Sequence, residues 1–324
     1  MAPQIFITGV TGYVGGQLLH SMIAKHPDYQ ITGLVRTREQ EQKIISRYPS
    51  VRTAIGDLNS ANVIIEQSKQ ADVVLQTADA DHLGAITSIV HGLSLGKRNG
   101  AFIQLSGAAS ILDTSNGLGQ PTEKVWDDIK DFDEISTFDE KHFHAASDQL
   151  VRSEGKKAGI RTVVLAPPVI YGKGEGIKQW SMGLPWRVEI SKKRGMGFAI
   201  GEGKTIISSI HVKDTADVLL FFAEQALAST NGKVEWGERG FYFVESGENV
   251  SREIHELVAE EMVKRDMIKT AELESLTGDE ANELHPWASI MYGSNMRVRG
   301  SKLRALGWTP EQPSILATVS ELLE

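Results

Sequence analysis

Within the stretch EKHFHAASDQLV, residues 140 to 151, Glu140, His144 and Asp148 recur at every fourth position. On a helix that spacing stacks them one turn apart, beside an apolar face formed by Phe143, Ala146, Leu150 and Val151. An imidazole next to a carboxylate has its tautomer and charge set by that neighbour, which suits it to moving a proton. A solvated helix face would carry the same residues, and there each pair contributes only tenths of a kcal/mol. Spacing alone leaves both readings open.

A second chemical signal lies at the start of the chain. ITGVTGYVGGQLL, residues 7 to 19, sets Thr8, Gly9, Gly12 and Gly15 in the pattern T-G-x-x-G-x-x-G between a strand-like run and a helix-like run. Glycines allow a tight turn and close backbone approach, and the helix N-terminus offers unpaired amides to a pyrophosphate. In this context the pattern predicts a dinucleotide site that uses Gly9, Thr11, Gly12, Tyr13, Val14 and Gly15. The end of the second strand, where an acid would read the ribose 2′-hydroxyl, instead reads LVRTRE, with Arg36 and Arg38. Guanidinium groups there would pair with a 2′-phosphate, so NADP(H) is expected over NAD(H). Asp57 and Leu58 follow the third strand, and Thr77 and Ala78 follow the fourth, at the carboxyl edge where ligands of such sheets lie. Asp57 could accept from the adenine amino group, or simply cap a helix. The cluster Asp79-Ala80-Asp81-His82 has no second histidine or glutamate nearby to complete a metal shell. It is expected to cap the next helix and line the cofactor cleft.

These residues need elements to position them. QIFITG, ITGLVR, VRTAIG, DVVLQTA, AFIQLSG and RTVVLAP are β-branched runs separated by helix-length segments, the rhythm of a Rossmann-type, doubly wound parallel α/β sheet. After about residue 172 the texture becomes α+β, with a helix from Asp214 to Ala226, a strand at FYFVES and a helix from Ser251 to about Arg265. The expected division is an NADP-binding domain of residues 1–172 plus about 204–228, and a substrate-binding region of about 173–203 and 229–324. Trp180, Met182, Trp186, Met196 and Phe198 in that region read equally as pocket lining or as core. Arg297 and Arg299 read as salt-bridged surface arginines.

Composition narrows the partners. The chain has 324 residues, no cysteine and a formal net charge of −8. That excludes thiol chemistry and disulfides, gives no electrostatic reason to bind nucleic acid, and fits the cytosol. No run approaches the roughly 18 apolar residues of a membrane span, so no membrane partner is expected; the apolar and aromatic residues after 172 make a hydrophobic small-molecule substrate the expected partner.

The chain resembles the short-chain dehydrogenase/reductase superfamily, in the extended, atypical branch near epimerase/dehydratase and NmrA-like proteins. The resemblance rests on TGVTGYVG, GDL at 56 to 58, LSGAAS after the fifth strand, APPVIYGKG at 166 to 174, SSIHVKDTAD at 208 to 217 and LGWTP at 306 to 310. It implies that Pro167 and Val169 border the cofactor, that Tyr171 is a wall residue near the nicotinamide, and that the protein is a monomer or homodimer. It further implies a Ser/Thr after the fifth strand and a Tyr-x-x-x-Lys on the next helix, and no such pair occurs in this chain. By that alignment the tyrosine position falls on Glu140 and the lysine position on His144, with the hydroxyl near Ala108, flanked by Ser106 and Ser110. His144 backed by Asp148 is then the expected proton donor, with Glu140 and Ser106 beside it. His142 and Lys141 take its place if the register slips. Three functions fit: an NADP(H)-dependent reductase of a hydrophobic carbonyl, enone or imine; a non-redox isomerase, lyase or cyclase on the same scaffold; or an NADP-sensing regulator.

Overall fold

Seven short β-rich segments assemble into one parallel sheet. The computed structural model describes residues 2–228 and 232–323. The strands β1 (Gln4–Thr8), β2 (Gln30–Val35), β3 (Arg52–Ile55), β4 (Val73–Gln76) and β5 (Ala101–Leu105) fall where the apolar runs predict. With the strands Arg161–Ala166 and Phe241–Phe243 they form a sheet whose order is Phe241–Phe243, Arg161–Ala166, β5, β4, β1, β2, β3. Every pairing is parallel, with Ile5 opposite Ile31 on one side of β1 and Val73 on the other. Strand order reverses at β1, which opens a crevice at the carboxyl ends of β1 and β4.

The sheet is covered on both faces, which is why its strands read as unbroken apolar runs. On one face α1 (Tyr13–Lys25) packs with the helix Val212–Leu227, burying Leu18, Leu19, Met22, Val218 and Phe222. On the other, α3 (Ala61–Gln70), α4 (Leu83–Leu95) and the helix Ala145–Ala158 bury Ile64, Ile86, Ile89 and Val151 against Phe6, Val74 and Phe102. Between β2 and β3 lies α2 (Arg38–Arg47).

The second half builds smaller layers over the crevice. The strands Val169–Tyr171, Ile206–His211 and Gly247–Val250 make one small sheet, and Met196–Ile200 pairs with Thr270–Leu276 in another. The helix Gly183–Arg194 ends in Lys192, Lys193 and Arg194, two of which are paired with Glu189 and Glu274. The seventh strand of the large sheet, Phe241–Phe243, comes from beyond residue 228, so the large sheet also draws on the segment 229–324; the expected boundary at 229 lies outside the described residues, as does residue 324. Among the described residues no helix is long and apolar enough to cross a membrane.

A buried carboxylate fastens the last strand to the C-terminal region. Asp128, fully buried, accepts from the amides of Phe243 and Lys302, each at 3.0 Å. Burial pushes its carboxyl up to about 7. Replacing Asp128 by Ala leaves two interior amides unpaired and is expected to cost about 2–5 kcal/mol in urea unfolding. A loss below about 1 kcal/mol would show that the carboxylate does not hold this edge.

Candidate active site

The phosphate loop folds as its glycines require. Gly9 adopts φ +81°, and a Cβ there would sit 2.7 Å from the Thr77 backbone. A Cβ on Gly15 would collide with the Gly9 carbonyl oxygen and Thr77 Oγ1. Helix α1 starts at Tyr13 after Gly12, with no side chain capping its amides, and Thr11 lies in the turn before it. This open helix end over the crevice fits a pyrophosphate. Tyr13 and Val14 are buried, and the Tyr13 hydroxyl donates to the Gly172 carbonyl. Thr77 Oγ1 donates to the Thr8 carbonyl at 2.6 Å, so Thr77 and Ala78 serve the loop by packing against its glycines.

The two arginines after β2 differ. Arg38 is the first residue of α2 and pairs with Glu41 at 2.7 Å. Arg36 is exposed at the strand end with no salt bridge among the described residues, its amide donating to Gln40 at 2.8 Å. Asp57 accepts from the amide of Asn59 and the hydroxyl of Ser60, a capping turn before α3 that Leu58 joins as a partly buried residue. Pro167 accepts from the Ala108 amide, and Val169 lines the cavity described below.

The acid–histidine stripe is not a helical stripe. The helix begins at Ala145, and His144 precedes it in the left-handed conformation at φ +64°. Asp139 stops the helix from starting sooner, since its carboxylate accepts from the Lys141 amide and its carbonyl from the His142 amide. His142 stacks on Phe138 and contacts the Ser110 carbonyl at 2.7 Å, so it is structural. Glu140 and Lys141 are exposed in the turn, and Phe143 leaves the expected apolar face to stand 45% exposed.

The partner of His144 is therefore Asp81, not Asp148. His144 Nδ1 lies 2.9 Å from Asp81 Oδ2 and 3.0 Å from Oδ1, and Ser147 Oγ lies 2.9 Å from the same carboxylate. A carboxylate there places the proton on Nδ1 and leaves Nε2 to work. Nε2 faces Gly107 in the loop after β5, where an added methyl would lie 3.0 Å from it. The neighbouring Asp79 accepts from the Asp81 amide, and His82 caps α4 by accepting from Ala85, as expected of that cluster.

Asp148 lies on the inner side of the helix. Its carboxyl is buried, and burial pushes it up to about 7, opposed by the Ser106 hydroxyl and Arg152 and reinforced by Asp81. Neither Ser106 Oγ nor Asp148 Oδ1 completes a hydrogen bond. The Tyr171 hydroxyl donates to the Pro313 carbonyl at 2.8 Å, at the end of the strand Val169–Tyr171.

Beside this group opens a cavity of about 470 Å³, lined mainly by apolar side chains. Tyr13, Ala109 and Val169 lie on its lining together with Leu184, Ile207, Met291 and Met296. Phe143, Met182 and Trp287 stand exposed around it, the Phe143 and Trp287 rings 6.3 Å apart. His144 is not part of its lining; it stands at the edge beside Phe143. Of the five apolar candidates only Met182 faces the cavity: Phe198 is core, Trp186 packs on His285, and Trp180 and Met196 lie elsewhere. Arg297 pairs with Glu248. Trp287 and Arg187 were not singled out by sequence; the tryptophan beside Pro286 was the one available hint.

Comparison with known proteins bears on the fold and on the N-terminal segment. The family model described as semialdehyde dehydrogenase, NAD binding domain, matches residues 4–108. The oxidase ucsJ of Acremonium sp is 27% identical over 339 residues, covering 100% of this chain and 97% of that protein. Among solved structures, a double mutant of the dTDP-glucose 4,6-dehydratase DesIV from Streptomyces venezuelae, with NAD and DAU bound, superposes with a TM-score of 0.69 at 14% identity, covering 98% and 94% of the two chains. A UDP-glucose 4-epimerase from Thermotoga maritima gives 0.66 at 12% identity, covering 99% and 100%.

The raised Asp148 carboxyl makes stability depend on pH. Its folded pKa of about 7 exceeds the ordinary 3.8, so its contribution is full below about pH 4 and is lost as pH rises toward 7. Asp148→Asn is expected to flatten that fall and to stabilise the protein at pH 8 by on the order of 3 kcal/mol. Urea midpoints of both proteins from pH 4 to 8 check this, and parallel curves would contradict it. The loop, the crevice and the capping layers together form the fold seen in that dTDP-glucose 4,6-dehydratase and that UDP-glucose 4-epimerase.

Proposed function

We propose that the protein is an NADP(H)-dependent oxidoreductase that reduces a hydrophobic carbonyl, enone or imine compound, with His144 as proton donor. The observation that carries this reading is the contact between His144 Nδ1 and Asp81, which leaves Nε2 directed at the loop after β5 beside an apolar cavity. The match to an NAD-binding-domain model and the phosphate loop support a nicotinamide dinucleotide, and Arg36 favours the 2′-phosphorylated form.

The bound nicotinamide would supply the hydride. The chain's own residues supply the rest. In the reductive direction an imidazolium at His144 gives its Nε2 proton to the oxygen or nitrogen that gains charge, and Asp81 offsets the positive ring before transfer. In the oxidative direction the neutral ring takes that proton at Nε2. Burial pushes the Asp148 carboxyl toward its neutral form, and Asp81 is the carboxylate in contact with the ring. Phe143, Trp287 and the cavity walls would surround the reacting carbon with apolar surface.

Two measurements test this. With NADPH and a panel of apolar ketones, enones and imines, cofactor oxidation with matching product is expected, and His144→Ala is expected to lower kcat by about 10²- to 10⁴-fold. Unchanged turnover in that variant would remove His144 from the chemistry, and product without net cofactor consumption would indicate a non-redox reaction. In fluorescence titrations Arg36→Ala is expected to weaken NADPH by about 10- to 100-fold while leaving NADH unchanged. Equal loss for both cofactors would contradict the role of Arg36.

A further inference from the structure

The cavity contains a charge that the proton-transfer scheme does not use. Arg187, on the helix Gly183–Arg194, is 4% exposed and lines the cavity. Its guanidinium lies 4.8 Å from the centre of the Tyr292 ring, and its Nε has no hydrogen-bond partner. Among the described residues no carboxylate forms a salt bridge with it; Glu189, two residues on, is exposed and holds Lys193 at 2.9 Å. Among the described residues no Asp or Glu lines the cavity, and the one other cation on it is the exposed Lys178. The buried His255 offers no compensation, since burial and then Arg187 push its pKa well down and keep it neutral. Burial lowers the Arg187 pKa to about 10, which still leaves it charged at neutral pH. Ser294, on the same cavity, has a buried hydroxyl without a partner.

A buried cation without a counter-charge is strongly unfavourable, and a guanidinium is shaped to receive a carboxylate through two parallel hydrogen bonds. We propose that the cavity takes an apolar molecule bearing a carboxylate, with the carboxylate received by Arg187 and Ser294 and the apolar body lying along Leu184, Ile207 and Met291. This rests on the proposed function for the cavity's being a substrate pocket, and it names the substrate class. Binding is measured without turnover, so the two readings fail separately.

The test uses the full chain, with tryptophan fluorescence and calorimetry, and compares octanoate and 3-phenylpropanoate with their methyl esters. Each carboxylate is expected to bind at least about tenfold more tightly than its ester. Arg187→Met is expected to abolish that preference, leave ester and NADPH affinity unchanged, and raise the melting temperature of the free protein. Equal affinity of acid and ester in the unmodified protein would overturn the proposal, and that comparison stands even if Arg187→Met fails to fold. A preference that survives in Arg187→Met would overturn it too. Loss of NADPH affinity in that variant, without any carboxylate preference, would assign the cation to the cofactor and equally overturn it. A carboxylate preference with no turnover of any carbonyl compound would support this site while contradicting the proposed reaction.

Discussion

The contact between Asp81 and His144 joins two parts of the chain that local structure would keep apart. Asp81 sits in the loop leaving β4, and His144 closes the irregular turn before the helix Ala145–Ala158. Holding the imidazole there requires a left-handed backbone at a residue with a Cβ, a conformation that costs roughly 1–2 kcal/mol. The carboxylate contact, the Ser147 hydroxyl and the burial of Ala145 and Val151 behind the turn offset that cost. Strain of this kind at a titratable residue beside a cavity is what a functional constraint would select, because a relaxed helix would point the ring elsewhere. The same turn throws Phe143 outward to meet Trp287, so one backbone irregularity sets both the His144 ring and part of the cavity mouth.

Burial then gives two nearby carboxylates different behaviour. Asp148, on the core side of the helix, is pushed up to about 7 by desolvation, whereas Asp81 is half exposed and held by hydrogen bonds. The cavity repeats that logic on a larger scale. Its lining carries Tyr13 of the helix after the phosphate loop and Val169 and Ile207 of the small sheet, most of it is apolar, and Arg187 adds a buried guanidinium.

Much of this was legible in the sequence where the determining contacts are local. The phosphate loop could be read because strand, glycines and helix are contiguous, and the Gly9 and Gly15 positions leave no room for a side chain. The parallel sheet could be read because strands buried on both faces are apolar throughout. His144 was visible as a residue, but its partner was not: Asp148 stands four residues away, and Asp81 is 63 residues away. Periodicity reports which side chains would share a face if the backbone were helical, and it is blind to an Asp139 turn that delays the helix. Arg187 was hidden for a related reason. In WRVEISKKRG it reads like the arginine and lysines that end the helix, and only the fold shows which of these charges is inside.

The account turns on which carboxylate governs the His144 ring. Nitrogen chemical shifts of the imidazole, recorded on histidine-labelled protein and assigned with His144→Asn, report the tautomer directly. At a pH where the ring is neutral, the account predicts a protonated Nδ1 in the unmodified protein and in Asp148→Asn, with that preference lost in Asp81→Asn. A tautomer that is insensitive to Asp81 but altered by Asp148→Asn would contradict it.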